Sequence, residues 1–229
     1  MDRRIQAELL GFAVICLMAG ATAIAAQDDA QRMTVLAAKP TLTKPEQQEL
    51  AVALFRLMAS AETEAPAFFE EKYQVVMEKC PETNQAHESY WRLTNLYLRA
   101  YDPPKHKEVV RILEQFLARY TQSTVLSMKK YPDQMLVFSP VKYLHRSYEE
   151  LGQYAKIAAY YAKIAGREAT FSVYDYFDYA SALDKSSRGK DAIGWYQKFL
   201  SKTKGNDSVD FMREIAADRI KTLKAAKSG

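Results

Sequence analysis

Asp175 and Asp178 stand three residues apart in VYDYFDYASALDK, a spacing that puts both carboxylates on one side of a helix. Such a pair could hold a cation, or divide acid and base roles if its environment separated the two pKa values. The alternative is a solvated helix face, because paired surface carboxylates are common. His87, His106 and His145 are widely spaced, with no H-x-x-x-H pair and no cysteine partner at metal-ligand spacing. Ser60, Ser139 and Ser147 lack the G-x-S-x-G context of an activated nucleophile. The eight glycines never cluster into a phosphate loop or dinucleotide fingerprint. These patterns imply neither an enzyme, a cofactor nor a metal. The other chemistry on offer is recognition: Lys142 and Arg146 lie one helical turn apart and could receive a carboxylate, with Glu149 and Glu150 beyond them as neutralising neighbours.

The first residues form a separate object. Arg3 and Arg4 precede an uncharged stretch, LLGFAVICLMAGATAIAA over 9–26, which ends in Ala23-Ile24-Ala25 before Gln27-Asp28-Asp29. A charged start, an apolar middle and an A-x-A tail predict a signal peptide over 1–26, hence a periplasmic or otherwise exported product. The alternative is an uncleaved inner-membrane anchor, since the stretch just reaches spanning length. Cys16 lies mid-stretch behind Val14-Ile15, so a lipoprotein signal is not expected. Nothing after residue 26 predicts stable membrane insertion. Removing the segment takes away two basic and two acidic side chains and leaves the net charge at +4. That balance, with Lys129-Lys130 as the densest basic doublet, excludes a nucleic-acid stripe. Cys80 alone remains, which predicts a buried small hydrophobe or, alternatively, an intermolecular bridge.

The rest of the chain predicts helices that would position these residues. Residues 27–43 read as a flexible lead, and a repeat domain follows over 44–229. Thr43, Pro45 and Glu46 form a helix start. The first hairpin pairs Pro45–Ala61 with Ala65–Lys79, and the second pairs Gln85–Tyr101 with His106–Tyr120. Thr121–Phe138, interrupted by Pro132, is irregular. The third pairs Pro140–Leu151 with Tyr154–Ala165, hinged at Gly152. The fourth pairs Val173–Leu183 with Lys190–Leu200, and Asp207–Lys227 reads as a polar capping helix. Aligning AYYAKI (159–164) with GWYQKF (194–199) superposes Tyr161 on Tyr196 at a period of 35 residues. The expected fold is all-α: a helical-hairpin solenoid of about four hairpins plus a C-terminal cap.

The hairpins resemble tetratricopeptide repeats (TPR). In the third, Leu144, Tyr148, Gly152 and Tyr161 fall on positions of that pattern; in the fourth, Tyr176, Ala180, Ala192 and Tyr196 do. Tyr73 and Pro81 match in the first hairpin, and Leu93, Leu96 and Leu113 match loosely in the second. His145 stands where the pattern has glycine, and Ile157 and Ile164 replace its two alanines. The phrases RILEQFLARY and GWYQKFLSKTKGND also look like repeats of exported proteins serving Gram-negative envelope assembly. The resemblance implies a scaffold that holds a partner protein or extended peptide in a concave groove.

Helical periodicity then nominates the groove-facing residues. They are Trp91, Thr94, Leu98 and Tyr101 in the second hairpin, and Ser139, Lys142, Arg146 and Glu149 in the third. In the fourth they are Tyr174, Phe177, Ser181 and Asp184. Trp91, Leu98, Tyr101, Lys142, Arg146, Tyr174 and Phe177 are the candidate partner-binding residues, rigid aromatics beside one basic patch. The aromatics could instead pack against the next repeat. A second reading makes Trp91 and the tyrosines platforms for peptidoglycan or another carbohydrate.

Overall fold

A computed structural model describes residues 30–61, 63–120 and 140–226. The expected signal peptide over 1–26, the stretch 121–138 for which an irregular course was expected, and the candidate Ser139 lie outside the described residues. Among the described residues every regular element is helical. None of their helices is long and apolar enough to cross a membrane. The chain divides into two compact units: residues up to 105 together with those from 115, and residues 106–114 together with those from 139 onward.

In the first unit, α1 covers 30–38, α2 Lys44–Ala59, α3 Pro66–Lys79 and α4 Asn84–Arg99. The Glu46 carboxylate accepts the Thr43 N–H at 2.9 Å and Pro45 sits in the first turn, so the predicted start of α2 is present. The lead expected to be flexible is partly structured. Met33 and Leu36 are three apart on α1, and Leu36, 1% exposed, joins Leu42, Leu50, Leu54, Val76, Cys80 and Ala86 in the core. Alanine-rich composition hid that short apolar edge. Arg32 reinforces it with two hydrogen bonds to Glu49, at 2.7 and 3.0 Å. Cys80 is buried, and burial raises its thiol to about 11, so it is an unreactive core residue. His87, Tyr90, Phe116 and Tyr120 form a second cluster of edge-on and tilted rings.

Helix α5 (His106–Arg119) gives its first residues to the second unit and the remainder to the first. The second unit continues with α6 (Pro140–Glu150), α7 (Tyr154–Ile164), α8 (Val173–Lys185), α9 (Gly189–Lys202) and α10 (Asp210–Ala225). The 35-residue period seen in the side chains recurs in its backbone. Gly152 and Ser187, 35 apart, both adopt left-handed φ, at 67° and 63°. The next residue in each case donates backward five positions, Gln153 N–H to Tyr148 C=O at 2.7 Å and Arg188 N–H to Leu183 C=O at 2.8 Å. Glycine adopts that conformation freely, whereas Ser187 pays a steric cost for it. The same register buries Tyr161 and Tyr196, at 3% and 2% exposure, and Ile157 and Ala192. Helices α8 and α9 pack as a hairpin, α7 packs on α8, and α10 packs on α9. Helix α10 is fastened by Arg219, whose guanidinium grips Asp184 at 2.8 and 2.9 Å. Its outer face is not wholly polar, because Phe211 is 74% exposed.

Candidate functional site

Helix α4 was expected to present Trp91, Thr94, Leu98 and Tyr101 to a partner. In the first unit it packs against both α2 and α3, and this turns much of that stripe inward. Thr94 is fully buried and donates its hydroxyl to Tyr90 C=O at 2.7 Å. Leu98 is half-buried. Trp91 is also half-buried, with its Nε1 enclosed and without an acceptor among the described residues, and the Arg92 guanidinium lies 5.6 Å from its ring. Tyr101 is committed internally: its hydroxyl donates to Glu70 at 2.8 Å, and Lys105 Nζ covers its ring at 3.6 Å. Burial opposes ionisation of Glu70, but donation from Tyr101, Tyr97 and Lys105 outweighs it and holds the carboxyl below its usual range. This cluster is satisfied and has nothing left to offer a ligand.

In the second unit Lys142, Arg146 and Glu149 follow one another at i, i+4 and i+7 on α6, and all three are exposed. On α8 the phase differs from expectation by one residue. Phe177 turns inward, with its ring centroid 5.8 Å from that of Tyr196 and 5.3 Å from that of Phe199. Asp184 is consumed by Arg219. The outward stripe therefore runs through Tyr174, 52% exposed, and Asp178 one turn later. Among the described residues Asp178 makes neither a hydrogen bond nor an ion pair, in contrast to Asp175. The latter accepts the Ser172 N–H at 2.6 Å as part of a capping box and the Tyr161 hydroxyl at 3.2 Å. The two carboxylates of the sequence pair thus have separate roles: one caps the helix and one is free.

Asp178 touches water on one side and is surrounded by protein on the others. That desolvation, together with the negative charges of Glu149 and Asp175, raises its pKa to about 6, against the opposing pull of Lys142 and Lys185. The charges of Lys142 and Glu149 on α6 thus act on Asp178 of α8. Periodicity had pointed to the neighbouring Phe177; the distinguishing signal for Asp178 was its place four residues after Tyr174. Behind this face lies His145, with ring centroids 4.9 and 5.2 Å from those of Tyr160 and Tyr161. Its Nε2 is enclosed without a partner among the described residues. Burial lowers its pKa to about 4 although Asp175 pulls the other way, so the imidazole is neutral near pH 7.

The remaining chemistry is dispersed. His87 sits against Tyr120 in the first unit, and His106 Nδ1 lies 3.2 Å from Ser147 Oγ in the second. Ser147 is fully buried and cannot meet a substrate there. Among the described residues no group of three or more histidine, cysteine or acidic side chains could hold a metal ion. What α6 and α8 expose is a set of charges of both signs, cations at Lys142 and Arg146 and anions at Glu149 and Asp178. No protein family matches this chain, and neither does any curated protein or solved structure.

Proposed function

We propose that this is an exported helical-repeat module of the tetratricopeptide kind, which captures an extended peptide or a partner helix on the face shared by α6 and α8. The supporting observation is that α6 and α8 expose charges of both signs, Lys142, Arg146 and Glu149 on the one and Asp178 on the other. None of the four has a salt-bridge partner among the described residues, a condition they share with Lys163 and Lys190 of the same unit. Charges left free in both signs favour a partner that presents an acidic group toward Arg146 and a basic one toward Asp178. Arg146 would supply the directional two-pronged contact and Lys142 a less directional one. The sugar-platform alternative is weaker, because Tyr101 is engaged by Glu70 and Trp91 is half-buried. A periplasmic role in envelope assembly or maintenance rests on the export segment and the repeat resemblance.

Crosslinking an affinity-tagged copy in its own cell envelope, followed by mass spectrometry, would identify the partner. Calorimetric titration of that partner should then show Arg146→Ala binding at least about tenfold more weakly, or roughly 1.4 kcal/mol, with thermal unfolding unchanged. Equal affinities would remove Arg146 from the site. N-terminal sequencing of the exported protein should begin near residue 26, and an intact Met1 on membrane-bound material would replace export by anchoring.

A further inference from the structure

A different part of the molecule carries a second site. Between α1 and α2 lies a cleft of about 440 Å³, within the roughly 300–1,000 Å³ range of small-molecule pockets. Half of its lining residues are aliphatic: Met33 and Leu36 from α1, and Val52, Ala53 and Leu57 from α2. The α2 residues lining it run from Gln48 to Ser60, about 18 Å at the helical rise. No aromatic ring lines the cleft on which a sugar or a base could stack. Two of its charged residues cancel, because Arg32 is held by Glu49 at 2.7 Å. Arg56 lies one turn beyond Val52, is exposed, and has no ion pair among the described residues.

We propose that this cleft binds a single-chain anionic amphiphile, with its alkyl tail along Val52, Ala53 and Leu57 and its carboxylate or phosphate head at Arg56. The aliphatic part of α2, from Val52 to Leu57, extends about 7.5 Å at the helical rise, and with Met33 and Leu36 of α1 it offers an alkyl chain an apolar bed. The Arg56 guanidinium, without an ion pair among the described residues, matches a planar or tetrahedral oxyanion, which it can grip through two N–H groups. A neutral lipid would leave that cation unpaired. The head chemistry is the same in a free fatty acid, an alkyl phosphate and an anionic phospholipid, so the source is decided by experiment. This site is independent of the α6–α8 face.

Laurate and dodecyl phosphate, each below its micellar concentration, can be titrated into the purified full chain and followed by calorimetry and by the Met33 methyl resonance. The expected result is saturable one-site binding that moves the Met33 signal. Arg56→Gln should weaken binding of laurate at least about tenfold, and 1-dodecanol should bind the unaltered protein no better than laurate binds that variant. Ala53→Trp fills the cleft and should abolish binding, with circular dichroism confirming its helical content. These two variants also exclude capture by the apolar 9–26 stretch, which they leave intact. Co-sedimentation with anionic phospholipid vesicles that is lost in Arg56→Gln would assign the ligand to a bilayer, and its absence beside laurate binding would assign a free amphiphile. Non-saturable uptake, an unmoved Met33 signal, or unchanged laurate binding by Arg56→Gln would overturn the proposal.

Discussion

Asp178→Asn should make the protein more stable at pH 8, and the gain should vanish on acidification. The folded environment raises the Asp178 pKa from 3.8 to about 6. The folded state therefore holds this proton more tightly than the unfolded chain does. By linkage, stability falls as pH rises through that interval, and the full penalty is present above about pH 6. A shift of roughly two units corresponds to about 3 kcal/mol at most. Asp178 is exposed, so solvent screening reduces the expected effect to about 1 kcal/mol. Asparagine keeps the shape and removes the charge. Urea unfolding at pH 8, 6 and 4 should show a gain of about 1 kcal/mol at pH 8, part of it at pH 6, and none at pH 4. A variant less stable than the parent at pH 8, or stabilised equally at every pH, would refute the account of charge repulsion and desolvation at this position.

His145 should act in the opposite direction over much of the same range. Its folded pKa is depressed from 6.5 to about 4, so its contribution is intact above about pH 6.5 and is lost as pH falls toward 4, by up to about 3 kcal/mol. In an Asp178→Asn background, chemical unfolding across that range should show the loss, and His145→Phe should flatten it; an unchanged slope would place the acid sensitivity elsewhere. Tyr161 is 3% exposed and stacks on Tyr179 at 5.3 Å. Tyr161→Ala should therefore cost about 3–5 kcal/mol, whereas Tyr161→Phe, which removes only the hydroxyl bonded to Asp175, should cost about 1 kcal/mol. Equal midpoints for the alanine variant and the parent in urea would show that the ring is not core.

The hairpins of the second unit were legible because one physical demand repeats. A large ring must fill the space between paired helices, so Tyr161 and Tyr196 recur 35 residues apart and are both buried. The backbone reversal at Gly152 recurs at Ser187, where serine gave no sequence sign of left-handed φ. Helix α1 was missed because one leucine among alanines and polar residues makes a weak periodic signal; Leu36 matters through the long-range contact it makes. Of the residues nominated for a groove, Lys142 and Arg146 on α6 are exposed, whereas Phe177 on α8 packs inward and its neighbour Asp178 is exposed instead. Periodicity identifies two neighbouring faces of a helix without saying which one the next hairpin will cover. Phe177 was drawn inward by Tyr196 and Phe199, and Asp178 was left outside. In the first unit the same ambiguity sent Thr94 into the core and tied Tyr101 to Glu70.

Glu70 and Asp178 differ in how far their surroundings satisfy their charge. Glu70 collects three donors, and its ionised form is favoured despite partial burial. That arrangement stabilises the fold and requires no partner. Around α6 and α8 the balance runs the other way: Asp178 is ionised against its surroundings, and an enclosed nitrogen of His145 is unsatisfied behind it. Asparagine at 178 would fit the same backbone without the charge penalty. A destabilising charge at an exposed position is the pattern expected where stability has been traded for binding. A cationic group delivered by a partner would relieve the repulsion among Asp178, Glu149 and Asp175. Binding should therefore lower the Asp178 pKa, and a carbonyl-detected NMR titration of the complex should show it below about 6. An Asp178 pKa unchanged by the bound partner would place the partner's basic group elsewhere.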